Sequence, residues 1–120
     1  MSILFINYPK CSTCQKAKKW LLEHNLEFTD RNIVENNPNE EELAKYIEKS
    51  GLPAKKFFNT SGMKYRELHL KDKLPAATQE EMIKILASDG MLVKRPLVIT
   101  DNGVLIGFKE DKWAEFFLEK

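Results

Sequence analysis

A chain of 120 residues is the length of one ordinary domain, enough to bury a core without metal or disulfide support and too short to divide comfortably. Its 19 Lys and Arg against 18 Asp and Glu leave a formal charge of +1, so no overall field points to nucleic acid or an anionic membrane as partner. With 31% charged and 42% hydrophobic residues and only short apolar runs, the composition fits a soluble globular protein and not a membrane-spanning one.

Ile3-Leu4-Phe5-Ile6 is an apolar run halted by Asn7-Tyr8-Pro9, the pattern of a buried strand that ends in a loop. The opening residues lack the charged segment, long apolar stretch and small-residue cleavage site of a secretory signal, so an unexported, cytoplasmic protein is expected. In a reducing compartment two cysteines are not expected to be a structural staple. Ser12 and Gln15 have capping-box spacing, and Ala17, Trp20, Leu21 and Leu22 form an apolar side opposite Lys16, Lys18, Lys19 and Glu23, which predicts a helix to about His24. Residues 27–34 partly alternate, with Phe28 and Ile33 as inward candidates, and read as a second strand.

Asn39 opens a second helix with Glu40, Glu41 and Glu42 in its first turn, where carboxylates meet the positive end of the helix dipole. Leu43, Tyr46 and Ile47 are its predicted buried side, and Gly51 stops it. Residues 52–77 are broken by Pro53, Gly62 and Pro75, with Phe57, Phe58, Tyr65, Leu68, Leu70 and Leu74 as anchors for short helices. Thr78 and Glu81 repeat the capping-box spacing ahead of Met82, Ile83, Ile85 and Leu86. Leu97–Thr100, the turn Asp101-Asn102-Gly103 and Val104–Gly107 read as a hairpin with a turn-compatible glycine, and a last helix carries Trp113, Phe116 and Phe117. The expected order is β-α-β, a helical middle over about 36–90, then β-β-α, all in one domain.

Cys11-Ser12-Thr13-Cys14 falls between the first predicted strand and the first predicted helix, the context in which a C-x-x-C motif indicates redox chemistry. Unpaired N–H groups and the dipole at a helix amino end favour a thiolate, and Lys10 adds positive charge beside it. In such motifs the first cysteine is normally exposed and attacks, while the second lies a turn inside and resolves the mixed disulfide. Three plainer readings stand beside this one. A zinc site would need two further ligands, and His24 and His69 are spaced unlike any compact finger, so no metal or organic cofactor is expected. A static disulfide and two inert buried thiols are the others.

Tyr8-Pro9-Lys10-Cys11-Ser12-Thr13-Cys14-Gln15-Lys16-Ala17, the helical insertion and Lys94-Arg95-Pro96-Leu97-Val98-Ile99 together resemble, over essentially the full chain, the arsenate reductase and Spx-type regulator group of glutaredoxin-like proteins. The resemblance implies a thioredoxin-like (glutaredoxin-type) α/β fold: a mixed β-sheet with helices on both faces and an inserted helical segment. It also implies a cis Pro96 facing Cys11, with the Arg95 guanidinium stabilising the thiolate. Cys11, Cys14 and Arg95 are the catalytic candidates; Lys10, Ser12, Thr13, Asn59 and Pro96 are the substrate-binding ones. Where arsenate-reducing members carry two further arginines, this chain has Asn59 and Phe108, and a tetrahedral oxyanion is held best by several bidentate donors. Those departures count against arsenate reduction.

The expected function is therefore thiol–disulfide exchange with a protein or small-thiol substrate, by a monomer that binds neither nucleic acid nor membrane directly. The alternative is an Spx-type redox-sensing regulator that contacts the RNA polymerase alpha subunit, for which Gly51 stands at about the place of a contact glycine. Those regulators tend to be basic at the carboxyl end, whereas Glu110, Asp111, Glu115 and Glu119 make this one mixed or acidic.

Overall fold

The computed structural model describes residues 2–118; Met1, Glu119 and Lys120 lie outside the described residues, so the part of the acidic end that rests on Glu119 lies outside them too. The elements run β1 (Ile3–Asn7), α1 (Ser12–Glu23), β2 (Thr29–Asn32), α2 (Glu40–Ser50), α3 (Met63–Glu67), α4 (Leu70–Lys73), α5 (Gln79–Ser88), β3 (Leu97–Thr100), β4 (Gly103–Ile106) and α6 (Glu110–Leu118). Short 3-10 turns lie at Ala54–Phe57, Leu74–Ala76 and Gly90–Leu92. Two compact units result: a sheet unit made of the chain up to Arg31 and from Arg95 on, and a helical unit, Asn32–Lys94. Among the described residues no helix is long and apolar enough to cross a membrane.

The strands form one mixed four-stranded sheet in the order β2-β1-β3-β4, the thioredoxin-like α/β class. β3 runs antiparallel to both of its neighbours, which sets Phe5 opposite Val98 and Val98 opposite Leu105. That row lies on one face with Ile3, and α1 and α6 pack there through Ala17, Trp20, Leu21 and Trp113. Trp20 and Trp113 meet edge to face with centroids 5.7 Å apart, and each large apolar side chain buried here contributes roughly 1.5–3 kcal/mol. Leu22 departs from the expected apolar side: it is 60% exposed, because Cys14 takes its place in the buried stripe Cys14, Ala17, Trp20 and Leu21.

The Ser12–Gln15 capping box does not form. Cys11 is the N-cap residue, and the Gln15 side-chain amide instead donates to the Pro9 carbonyl at 2.8 Å. At the other end, Asn25 adopts the left-handed conformation (φ 54°), with its N–H donating to the Leu22 carbonyl and that of Leu26 to Leu21, a Schellman closure built on asparagine. β2 is shorter than the alternating stretch that announced it, four residues between the half-buried Phe28 and the buried Ile33. In the hairpin Gly103 pairs with Thr100, so the loop is Asp101-Asn102 alone. The Thr100 hydroxyl closes it by accepting from the N–H groups of Asn102 and Gly103. Gly103 matters for room: a Cβ there would stand 3.3 Å from the Phe116 ring.

In the helical unit the expected capping box of Thr78 with Glu81 is present, and the structure adds a second, Asn39 with Glu42, each contributing about 1 kcal/mol. Gly51 ends α2 in the left-handed region at φ 72°. Leu43, Ile47, Phe57, Phe58, Leu70, Leu74, Leu86, Leu92 and Val93 are buried, and Tyr46 is half-buried. Phe58 and Val93 form an isolated antiparallel bridge, flanked by Asn59 N–H to Leu92 carbonyl and Lys94 N–H to Phe57 carbonyl, both 2.8 Å.

Candidate active site

The sheet unit brings the cysteine turn and the Arg95-Pro96 segment together because β1 and β3, which end and begin beside them, are paired neighbours. β1 stops at Asn7, whose buried side-chain amide donates to the Asp30 carboxylate at 2.7 Å; Lys18 of α1 reaches the other Asp30 oxygen at 2.9 Å. Those bonds tie the end of β1, β2 and α1 to one carboxylate and hold the turn between them. The turn closes with the Cys11 N–H donating to the Tyr8 carbonyl at 2.9 Å, and the first helical bond runs from Gln15 N–H to the Cys11 carbonyl.

Both cysteines are free thiols, Cys11 half-buried and Cys14 only 1% exposed. Their chemistry diverges accordingly. Partial burial pulls the Cys11 pKa upward, but the Cys14 backbone N–H and thiol and the Arg95 guanidinium outweigh it, and Cys11 lies below its ordinary value. Cys11 makes no side-chain capping hydrogen bond to the first turn, so the help from the Cys14 N–H belongs to the charged form. Burial dominates at Cys14 and pushes its thiol up to about 12; the neighbouring Cys11 adds to that, while the Tyr8 backbone and Arg95 only partly oppose it. At neutral pH the pair is one ionisable, reachable sulfur beside one protonated, covered sulfur.

The Arg95–Pro96 peptide is cis, Pro96 is buried, and the Pro96 carbonyl accepts from the Gly107 N–H at 2.8 Å. Gly107, at φ 72°, also accepts from the Trp113 indole N–H at 3.2 Å, which links the proline segment to the α6 core. The Arg95 guanidinium lies over the Tyr8 ring, 5.6 Å from its centroid. Tyr8 thus supports the site three ways, through its ring under Arg95, its carbonyl on Cys11 and its backbone beside the Cys14 sulfur. Sequence reasoning assigned neither Tyr8 nor Gly107 a role; an aromatic in the turn before the first cysteine, and a glycine between the last strand and the last helix, were the available signals.

Lys10, Ser12 and Thr13 are exposed around Cys11. Asn59 belongs to the helical unit, where its side-chain oxygen accepts from the Ser61 hydroxyl at 3.3 Å. Phe108 packs edge-on against Trp113 at 4.8 Å in the core of the sheet unit. His24 lies on the Trp20 ring, and among the described residues no group of three or more His, Cys, Asp or Glu is gathered for a metal ion.

Because the Arg95 charge and hydrogen bond lower the Cys11 pKa, Arg95→Gln is expected to shift the pH profile of Cys11 alkylation to higher pH. At pH values below the Cys11 pKa the rate falls about tenfold for each pH unit of that shift. Arg95→Lys should recover part of the loss through charge alone. Iodoacetamide kinetics from pH 5 to 10 measure it; an unmoved profile would remove Arg95 from the site.

The ArsC family profile matches residues 6–116. The uncharacterized protein YusI of Bacillus subtilis is 57% identical over 115 residues, covering 96% of this chain and 98% of that protein. The global transcriptional regulator Spx of Staphylococcus epidermidis is 27% identical over 113 residues, 93% of this chain and 84% of the regulator. The crystal structure of a Bacteroides fragilis protein described as ArsC family related superposes with a TM-score of 0.92 at 60% identity, covering 96% of this chain and 97% of that one. A family profile that spans nearly the whole chain, joined to near-full-length likeness in sequence and in structure, places this chain in the ArsC family.

Proposed function

We propose that the chain is a cytoplasmic thiol–disulfide oxidoreductase in which Cys11 attacks and Cys14 resolves. The observation that carries this reading is the division of the two thiols: Cys11 is reachable and lowered in pKa beside Arg95, and Cys14 is buried and raised. The Cys11 thiolate attacks one sulfur of a substrate disulfide R–S–S–R′, forming Cys11–S–S–R and releasing R′–S⁻. Cys14 then gives its proton to the departing thiolate, leaving R′–SH, and attacks the Cys11 sulfur, giving the Cys11–Cys14 disulfide and R–S⁻. The substrate disulfide gains two electrons and the protein dithiol loses two; an external dithiol reductant restores the protein.

Arg95 holds the attacking sulfur as its anion, and Lys10, Ser12, Thr13 and Pro96 border the position that the substrate sulfur occupies. Phe108 places an aromatic ring on Trp113 at a position where arsenate chemistry calls for a guanidinium, which supports disulfide exchange over arsenate reduction. A second reading, a redox-gated regulator that binds the RNA polymerase alpha subunit, is favoured by the likeness to Spx across 93% of the chain. Steady-state reduction of a peptide–small-thiol mixed disulfide with dithiothreitol as reductant is the test, run beside capture of the alpha subunit in both redox states. Turnover without capture is expected; redox-gated capture without turnover overturns the enzyme reading in favour of the regulator.

A further inference from the structure

The helical unit carries a second concave site that the cysteine chemistry does not use. Lys55, Lys56 and Lys71 border a cavity of about 390 Å³ together with the hydroxyl side chains of Thr60 and Tyr65, over a floor of Leu74 and Pro75. That volume falls within the range of about 300–1,000 Å³ typical of small-molecule pockets.

Its walls are anchored. Lys55 and Lys56 sit on the 3-10 turn whose last residue, Phe57, is fully buried and followed by the buried Phe58. Tyr65 leans edge-on toward Phe58 with centroids 6.3 Å apart. Lys71 lies between the buried Leu70 and Leu74. The lysine stems and their charges are therefore displayed from three fixed points of the backbone.

The charges are also uncompensated. The chain as a whole is nearly neutral, and several of its exposed lysines find carboxylates, as Lys18 does with Asp30, Lys45 with Glu41 and Lys64 with Asp89. Among the described residues Lys55, Lys56 and Lys71 form no ion pair; Asp72, adjacent to Lys71 on α4, is not bridged to it. Three ammonium groups on one opening repel one another unless an anion joins them, and lysine is well suited to phosphate as a mobile point charge. The two hydroxyls add hydrogen-bond donors, and the apolar floor accepts a body attached to the anion.

We infer that this cavity binds a phosphate-bearing small molecule, the phosphate held among Lys55, Lys56 and Lys71 and the organic body lying on Leu74 and Pro75. The site is independent of the thiol chemistry and stands or falls without it.

Phenyl phosphate is the probe, with inorganic phosphate as the comparison, each titrated into ¹⁵N-labelled full-length protein at constant ionic strength. Saturable shifts at Thr60, Tyr65 and Lys71 are expected at about millimolar phenyl phosphate, with inorganic phosphate weaker because it leaves the floor uncovered. Lys55→Gln with Lys71→Gln should weaken binding by about tenfold or more, and Lys71→Gln alone by less, through loss of charge-assisted bonds. Lys45→Gln, on α2 and paired with Glu41, should leave it unchanged. Absence of saturation, or equal affinity in the double variant with its spectrum otherwise native, overturns the site; equal binding of the two probes overturns the role of the apolar floor.

Discussion

Cys14→Ser is expected to accumulate a covalent mixed disulfide between Cys11 and substrate, and Cys11→Ser to abolish turnover. Serine at position 11 keeps the size and the N-cap place but its hydroxyl is not ionised near neutral pH, so the rate should fall by about a thousandfold or more. With Cys14 replaced, the first exchange still proceeds and the second cannot, because resolution needs the sulfur three residues on. The raised pKa of Cys14, about 12, sharpens the expectation: its proton stays in place until the leaving thiolate takes it, so Cys14 does not compete for the first attack. Intact mass after mixing with a peptide mixed disulfide reads the adduct directly. Turnover by Cys11→Ser, or a Cys14→Ser protein that never gains the peptide's mass, would reverse or remove the assigned roles.

Much of this site was legible before any coordinates, because its signals are local. A strand that ends in Asn7-Tyr8-Pro9 and a helix that begins after Cys11 already place a thiol at a helix amino end. The capping box at Thr78 is read from three-residue spacing and forms as spaced, and Asn39, read as a helix opener, caps its helix with the help of Glu42. The same spacing failed at Ser12, because the tight Tyr8–Cys11 turn moves the N-cap one residue back and leaves Gln15 free to bond Pro9. Periodicity placed Leu22 on the apolar side, yet the buried stripe is Cys14, Ala17, Trp20 and Leu21, and the burial of Cys14 is itself what separates the two thiols. The partners that lie far off in sequence were not legible from pattern. Arg95 and Pro96 came from family resemblance, and the Tyr8–Arg95 stacking and the Gly107 link depend on the β1–β3 pairing, which no local window contains.

Gly90→Ala should cost about 3 kcal/mol, far more than the addition of one methylene's worth of atoms suggests. Gly90 has no left-handed φ to explain it; the constraint is space. A Cβ at this position would stand 2.3 Å from the Ile33 carbonyl oxygen and 2.9 Å from its carbon, and both are backbone atoms that no rotamer change can move. The side-chain oxygen of Asn37, 3.1 Å away, cannot retreat easily either, since the amide nitrogen on the same group donates to the Ala87 carbonyl. The turn Gly90–Leu92 must therefore shift as a piece, and it leads directly into Leu92 and Val93, both fully buried and bonded to the Phe57–Asn59 segment. Gly51→Ala is the matched comparison: nothing lies within 4 Å of its Cβ, so only the conformational cost of φ 72° applies, about 1 kcal/mol. Thermal unfolding should rank the variants wild type, Gly51→Ala, Gly90→Ala, with the last lower than wild type by about 10 °C. A Gly90→Ala protein that melts with or above Gly51→Ala would mean that the close approach of Ile33 to Gly90 does not constrain the helical unit.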